Sequence, residues 1–301
     1  LILERRIFDR ELARTAAEAG AEVVVKTRAT GLMRTNGRVA GVKMVVRGEP
    51  REIHSKVVIG AGGTESQSVR WAGLKSIPQL KNYYAAVQYL MTDVDIDPRI
   101  CQYHVGWSIA PGGYAWVFPK GMRQANVGLV MTADPKETKA AIRYLDEFVE
   151  KRFPTSSILT QIVGGIPITG VIPKMVTDGF MAAGDEAHQA DPLHGGGISA
   201  SMNGGRLAGE VAAQAIRAGD VSEKFLRSYE EKWEAKYGKV YRRLKRIRQA
   251  ALKIPEEKLN SMIKMASQVE TKDMTLMEVF KIVLKSHPRL LLEVVPFFLG
   301  Q

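Results

Sequence analysis

The feature that most constrains this chain is the run Gly184-Asp185-Glu186-Ala187-His188-Gln189-Ala190-Asp191-Pro192-Leu193-His194-Gly195-Gly196-Gly197-Ile198. The apolar residues Phe180 to Ala183 before it predict a short buried strand. That strand hands an aspartate to its tip, three glycines then bare the backbone, and a helix is expected from Ile198 to about Ala218. The start of a helix presents unpaired N–H groups and a partial positive charge. Such a mouth suits a bound group that acquires electrons and negative charge, and Asp185 can accept a hydrogen bond from a ligand hydroxyl. The helix is rich in small residues, with Ser201, Gly204, Gly205, Ala208, Gly209 and Ala212. Each interior glycine costs about 1 kcal/mol against alanine, so their repetition implies either the close approach of backbone or cofactor, or plain helix-on-sheet packing.

Elsewhere the pattern alternates between α/β and antiparallel signals. Asp9 can cap a helix that places Leu12, Ala16 and Ala19 on one face and stops at Gly20. A strand from Glu22 to Lys26 is expected next. A meander follows: Gly31 to Thr35, an Asn36-Gly37 turn, Arg38 to Arg47, a Gly48-Glu49-Pro50 turn, and Arg51 to His54. The run from Lys56 to Gly60 reads as a buried strand that opens a crevice at Gly62-Gly63. From Tyr83 to about Thr169, longer strands with Pro/Gly turns and one helix, Pro135 to Arg152, predict a sheet lobe. Helices are expected beyond Gly219. The domain reading is therefore 1–82 and 176–220 as two parts of one α/β unit, 83–175 as a sheet lobe, and 221–301 as a helical region.

Composition narrows the class. A chain of 301 residues, 45% apolar, can bury a large core, and no run of eighteen uncharged apolar residues occurs in it. The single cysteine, Cys101, cannot form an internal disulfide and fits a reducing cytoplasm. The formal charge of +11 favours anionic partners. Much of it falls between Lys232 and Lys253, where Lys236, Lys239, Arg242, Arg243, Lys245, Arg246 and Arg248 share a helical pattern with Tyr237, Val240, Tyr241, Leu244 and Ile247. That helix is either a solvated face or one turned towards a membrane surface or phosphate. His188 and His194 flank Asp191, but their spacing does not match helical two-histidine motifs, and no metal is expected.

On the Gly184–Ile198 residues the sequence resembles the FAD-dependent geranylgeranyl reductase family, the archaeal digeranylgeranylglycerophospholipid reductases in particular. The resemblance implies the FAD-binding α/β fold shared with aromatic hydroxylases, with Gly184, Asp185, Gly196, Gly197 and Ile198 holding the flavin. Arg5, in Arg5-Arg6-Ile7-Phe8-Asp9-Arg10-Glu11-Leu12, would lie near the cofactor phosphates, and Ala29 near the adenine. The segment Val57-Val58-Ile59-Gly60-Ala61-Gly62-Gly63 is similar to a second flavoprotein motif, with Gly62-Gly63 where Asp-Gly is usual. Tyr114-Ala115-Trp116-Val117-Phe118-Pro119 resembles the family element lining an isoprenoid tunnel. Alternation puts Tyr114, Trp116 and Phe118 on one face of a strand, which on its own fits sheet core equally well, and Pro119 joins them in the implied substrate wall.

The implied activity is hydride transfer from reduced FAD to a C=C bond of a geranylgeranyl chain, with Tyr114 a candidate proton donor. The implied partners are an isoprenoid lipid and, peripherally, the inner face of the cell membrane, with no nucleic acid. The electron donor, whether nicotinamide, deazaflavin or ferredoxin, leaves no mark in the sequence. The alternatives are an FAD monooxygenase on the same scaffold and an inactive lipid-binding fragment. No strand-GxGxxG-helix unit occurs in these residues, so the chain is expected to be the later three quarters of a longer polypeptide, or to receive that unit from another.

Overall fold

A computed structural model of the chain describes residues 2–75, 82–134 and 139–266. Helix α1 spans Arg5–Glu18, one turn earlier than a cap at Asp9 requires. Asp9 lies inside the helix, ion-paired with Arg5 at 3.0 Å, and Glu4 takes the cap position. The stop at Gly20 is as expected, with φ at +95°.

The expected strand Glu22 to Lys26 is absent. Residues 21–26 are irregular, and the strand begins at Thr27 after a left-handed Lys26. Extended chain needs a hydrogen-bonding neighbour, and among the described residues no strand pairs with Val23 to Val25. Strands β1 (Thr27–Thr35), β2 (Arg38–Val46) and β3 (Glu49–His54) form an antiparallel sheet in that order. Asn36 and Gly37 both take positive φ, as the tight hairpin demands. The second turn sits on Arg47-Gly48 rather than Gly48-Glu49-Pro50, because Pro50 already pairs with Val45 on an edge strand, where its missing N–H costs nothing.

Strand β4 (Val58–Gly60) leads to a short helix α2 (Ser68–Trp71). A five-stranded antiparallel sheet then runs β6-β7-β8-β5-β9. Its members are β5 (Tyr83–Thr92), β6 (Gln102–His104), β7 (Tyr114–Pro119), β8 (Gln124–Thr132) and β9 (Ser157–Pro167). Helix α3, Ala141–Arg152, covers one face, where Leu145 and Val149 meet Val87, Met91, Val117 and Leu129. Positions 135–138 of the longer helix expected there lie outside the described residues.

The chain returns through β10 (Val176–Thr177) and β11 (Phe180–Ala182), and β11 pairs in parallel with β4. Helix α4 spans Ile198–Ala218 and ends on Gly219 at φ +69°. Then come α5 (Glu223–Trp233), a π-helical turn (Glu234–Gly238), α6 (Lys239–Ala251) and α7 (Glu256–Ala266). Phe180, Ala208, Val211, Leu226, Tyr229 and Trp233 form the core between this sheet and its helices. Val240, expected on the apolar side of α6, is half exposed, whereas Tyr241 and Ile247 are buried.

Candidate active site

Strand β11 ends at Ala182, and Gly184 turns the chain with φ at +67° into one 3-10 turn, Gly184–Ala187. This turn carries Asp185 to the mouth of α4. Asp185 Oδ1 is buried and has no hydrogen-bond partner. Burial raises its pKa, and the charge of Arg5 opposes the rise, which places Arg5 within electrostatic reach of the site. A side chain on Gly197 would sit 3.2 Å from that same oxygen, so glycine there leaves the approach to Asp185 clear. The first helical bond of α4 runs from Ser201 N to Gly197 O at 2.8 Å, so the amides of Ile198 to Ala200 have no helical acceptor. Gly196 and Ile198 are exposed beside them. An orphaned carboxylate oxygen next to bare amides suits a ligand that offers both hydroxyl donors and an electron-rich edge, as FAD does.

The loop is fastened by residues that sequence reasoning missed. Gln189 is fully buried. Its Oε1 accepts from Gly184 N at 2.8 Å, and its Nε2 donates to Tyr229 Oη at 2.7 Å. Gly204 is glycine because a Cβ would overlap the Gln189 amide; Gly205 and Gly209 have nothing within 4 Å. The helix glycine that is crowded therefore admits a side chain of the loop itself. Glu186, also buried, accepts from Gly62 N at 2.8 Å, from Val69 N at 3.1 Å and from the Ser68 hydroxyl. It thereby ties the segment after β4 to the loop after β11.

The two histidines have separate tasks. His188 is buried with φ at +56°; its Nδ1 lies 3.2 Å from Thr169 Oγ1, and desolvation brings its pKa down to about 4. His194 Nε2 is 3.3 Å from Asp191 Oδ2, while Gly196 N donates to His194 Nδ1 at 3.0 Å. Burial opposes ionisation of Asp191, but His194 and the amides of Leu193 and His194 hold its pKa below the ordinary value. Hydrogen bonding to Asp191 raises that of His194. Among the described residues, no group of three or more His, Cys, Asp or Glu is placed to hold a metal.

The sheet lobe meets this loop through its aromatic face. On β7, Tyr114, Trp116 and Phe118 are half-buried on one side, and Ala115, Val117 and Pro119 are buried on the other. The row is thus not the core that packs against α3. Pro119 faces away from it, because strand alternation puts residue 119 with 115 and 117. Ring centroids are 5.9 Å apart for Tyr114 and Trp116 and 6.0 Å for Trp116 and Phe118. Tyr103 of β6 lies 5.8 Å from Tyr114 and 5.3 Å from Phe118. Trp116 lies against Gly128, where a Cβ would collide with the indole, and its Nε1 donates to Gln88 Oε1 at 3.2 Å. Two hydroxyls tie wall to loop: Tyr114 Oη donates to His194 O at 2.7 Å and Tyr84 Oη to Leu193 O at 3.1 Å. Burial raises the Tyr114 pKa, so this phenol keeps its proton at neutral pH. Ala29 is not brought to this site by any described contact; it stands exposed on β1, paired with Met44.

The profile of the geranylgeranyl reductase catalytic domain matches residues 82–166, which is the five-stranded sheet with α3. The digeranylgeranylglycerophospholipid reductase of Methanocella arvoryzae is 43% identical over 294 residues, covering 98% of this chain and 75% of that protein. The chain belongs to the geranylgeranyl reductase family. The crystal structure of a geranylgeranyl bacteriochlorophyll reductase-like protein of Thermoplasma acidophilum superposes with a TM-score of 0.92 at 33% identity, over 98% of this chain and 75% of that one. The flavin-dependent brominase Bmp2, in a triple mutant, shares the fold alone, with a TM-score of 0.69 at 18% identity over 95% of this chain and 76% of that one. The α/β architecture expected from the sequence is therefore the family's. FAD is the cofactor of geranylgeranyl reductases, and the unpartnered Asp185 oxygen beside the open Gly196-Gly197 turn fits it.

Proposed function

We propose that this chain carries the catalytic region of an FAD-dependent reductase that saturates C=C bonds in the geranylgeranyl chains of membrane-lipid precursors. One observation carries the reading: a loop with an orphaned carboxylate and bare amides is hydrogen-bonded by Tyr84 and Tyr114 to a half-buried aromatic wall. FAD, when bound and reduced, would supply a hydride to one carbon of the double bond, and the other carbon would take a proton from an acid or a water at the site.

The residues of the chain bind and orient. Asp185 accepts from a ribityl hydroxyl, and the Gly196 turn leaves the amides of Gly197 and Ile198 to face the edge where charge accumulates. Arg5 neutralises cofactor phosphate, and Ala29 lies on the adenine side. Tyr114, Trp116 and Phe118 give the prenyl chain a flat apolar surface and exclude water from it. Tyr114 keeps its proton directed at the His194 carbonyl, so its part is to hold the wall against the loop. Residues 1–82 and 176–220 are assigned to the cofactor half and 83–175 to the substrate lobe, and the region from 221 is helical as far as the described residues run, to 266. Lys239, Arg242, Arg243 and Lys245, exposed on α6, meet an anionic lipid surface; among the described residues no helix is long and apolar enough to cross a membrane.

The test is mass spectrometry of a geranylgeranyl lipid incubated with the chemically reduced, flavin-loaded protein. Product that gains hydrogen mass supports the assignment; product that gains oxygen mass, or none, overturns it.

A further inference from the structure

We propose that Arg248 forms an anion subsite at the end of the aromatic wall, shaped for the phosphate headgroup of a prenyl lipid; this rests on the reading of that wall as the lipid surface. Arg248 reaches from α6 to the sheet and is half-buried. Its Nε donates to Tyr84 Oη at 3.2 Å and one terminal nitrogen donates to Thr132 Oγ1 at 3.1 Å; the guanidinium lies 5.0 Å from the Tyr84 ring centroid. Both hydrogen-bond partners are neutral. Among the described residues no carboxylate pairs with it, whereas Arg206, Arg227 and Arg242 pair with Glu210, Glu223 and Glu234. A guanidinium has five N–H donors in a planar fork that matches phosphate, so donors remain for a ligand and, among the described residues, no carboxylate neutralises the charge.

Its position gives the ligand. Tyr84 pairs with Thr132 across the sheet, and the next rung on the same face pairs Ala86 with Val130 and Val130 with Tyr114. The face therefore runs Phe118, Trp116, Tyr114 and then the Arg248 rung, with about 7 Å between successive rungs. An apolar strip that ends in an unneutralised cation complements a molecule with an isoprenoid tail and an anionic head. A strut joining α6 to the sheet would use the two hydroxyl contacts and the Tyr84 ring, but it would leave the remaining N–H donors without a partner.

The proposal is tested by titrating the chain with geranylgeranyl phosphate, with geranylgeraniol and with inorganic phosphate, read by tryptophan fluorescence. The expected result is binding of the phosphate lipid about ten- to a hundredfold tighter than the alcohol, with inorganic phosphate a weak competitor. Arg248→Gln, which keeps an amide donor at about the level of Nε and removes the charge, abolishes the preference and leaves the affinity for the alcohol unchanged. Arg248→Lys retains part of it, and the wild-type comparison stands even if either variant fails to fold. Equal binding of phosphate lipid and alcohol overturns the subsite while leaving the wall intact. Binding of neither overturns the wall and the subsite together. Inorganic phosphate competing as well as the lipid, or Arg248→Gln losing FAD affinity and not the lipid preference, assigns the cation elsewhere and overturns the proposal.

Discussion

Asp185 is under opposed demands. Burial raises its pKa, so the carboxyl favours the fold in acid and that contribution is lost as the pH rises through its folded-state value. Asp185→Asn is neutral at every pH. It should raise the melting temperature of the flavin-free chain at pH 7, by an amount that shrinks as the pH is lowered, while weakening flavin binding about tenfold or more because a charged acceptor is gone. Paired melting curves and flavin titrations check both halves; a variant that loses stability at pH 7 contradicts the burial argument. Asp185 was legible from its place at a strand tip before three glycines. Gln189 and Glu186 were not, since a polar residue that satisfies amides 5 or 124 positions away leaves no local pattern. The signal for Gln189 was Gly204, one of the helix glycines whose repetition implied close approach of backbone or cofactor, or plain packing, but did not say which neighbour comes close.

At the level of elements, the same glycine yields a prediction that runs against helix propensity. Gly204→Ala gains propensity but drives a methyl into the Gln189 amide, and should destabilise the chain by about 1–3 kcal/mol in denaturant unfolding. Gly205→Ala, into open space in this chain, should be neutral or gain up to about 1 kcal/mol. The join between the loop and β7 is equally testable. Tyr114→Phe keeps the apolar wall and removes the bond to His194 O, so flavin affinity should fall several-fold, a loss of about 1 kcal/mol, although Tyr114 belongs to the lipid face; an unchanged flavin titration would sink that coupling. Helix α4, the Asn36-Gly37 hairpin and the Tyr114–Phe118 alternation were readable because each rests on a short-range period or turn. The strand expected at Glu22 to Lys26 failed because pairing is decided by neighbours, and Pro119 was misplaced because a motif was carried over without its alternation.

Across the whole molecule, the excess of positive charge, +11, and the exposed basic side of α6 set an electrostatic expectation. Co-sedimentation with vesicles containing anionic lipid should be strong at low salt and fall steeply towards 0.5 M salt, roughly where screening shortens to a few ångströms; equal binding to neutral vesicles would remove α6 from the membrane contact. The fold class and the family were legible from one fifteen-residue run, whereas the meeting of that run with a strand 80 residues earlier in the chain became visible only in three dimensions. The fastening of that run has a further consequence. Glu186, Gln189 and Asp191 are satisfied by the polypeptide alone, and among these side chains Asp185 has the oxygen without a partner. The seat is therefore finished before its occupant arrives, and the yellow prosthetic group should be removable and replaceable without melting its surroundings.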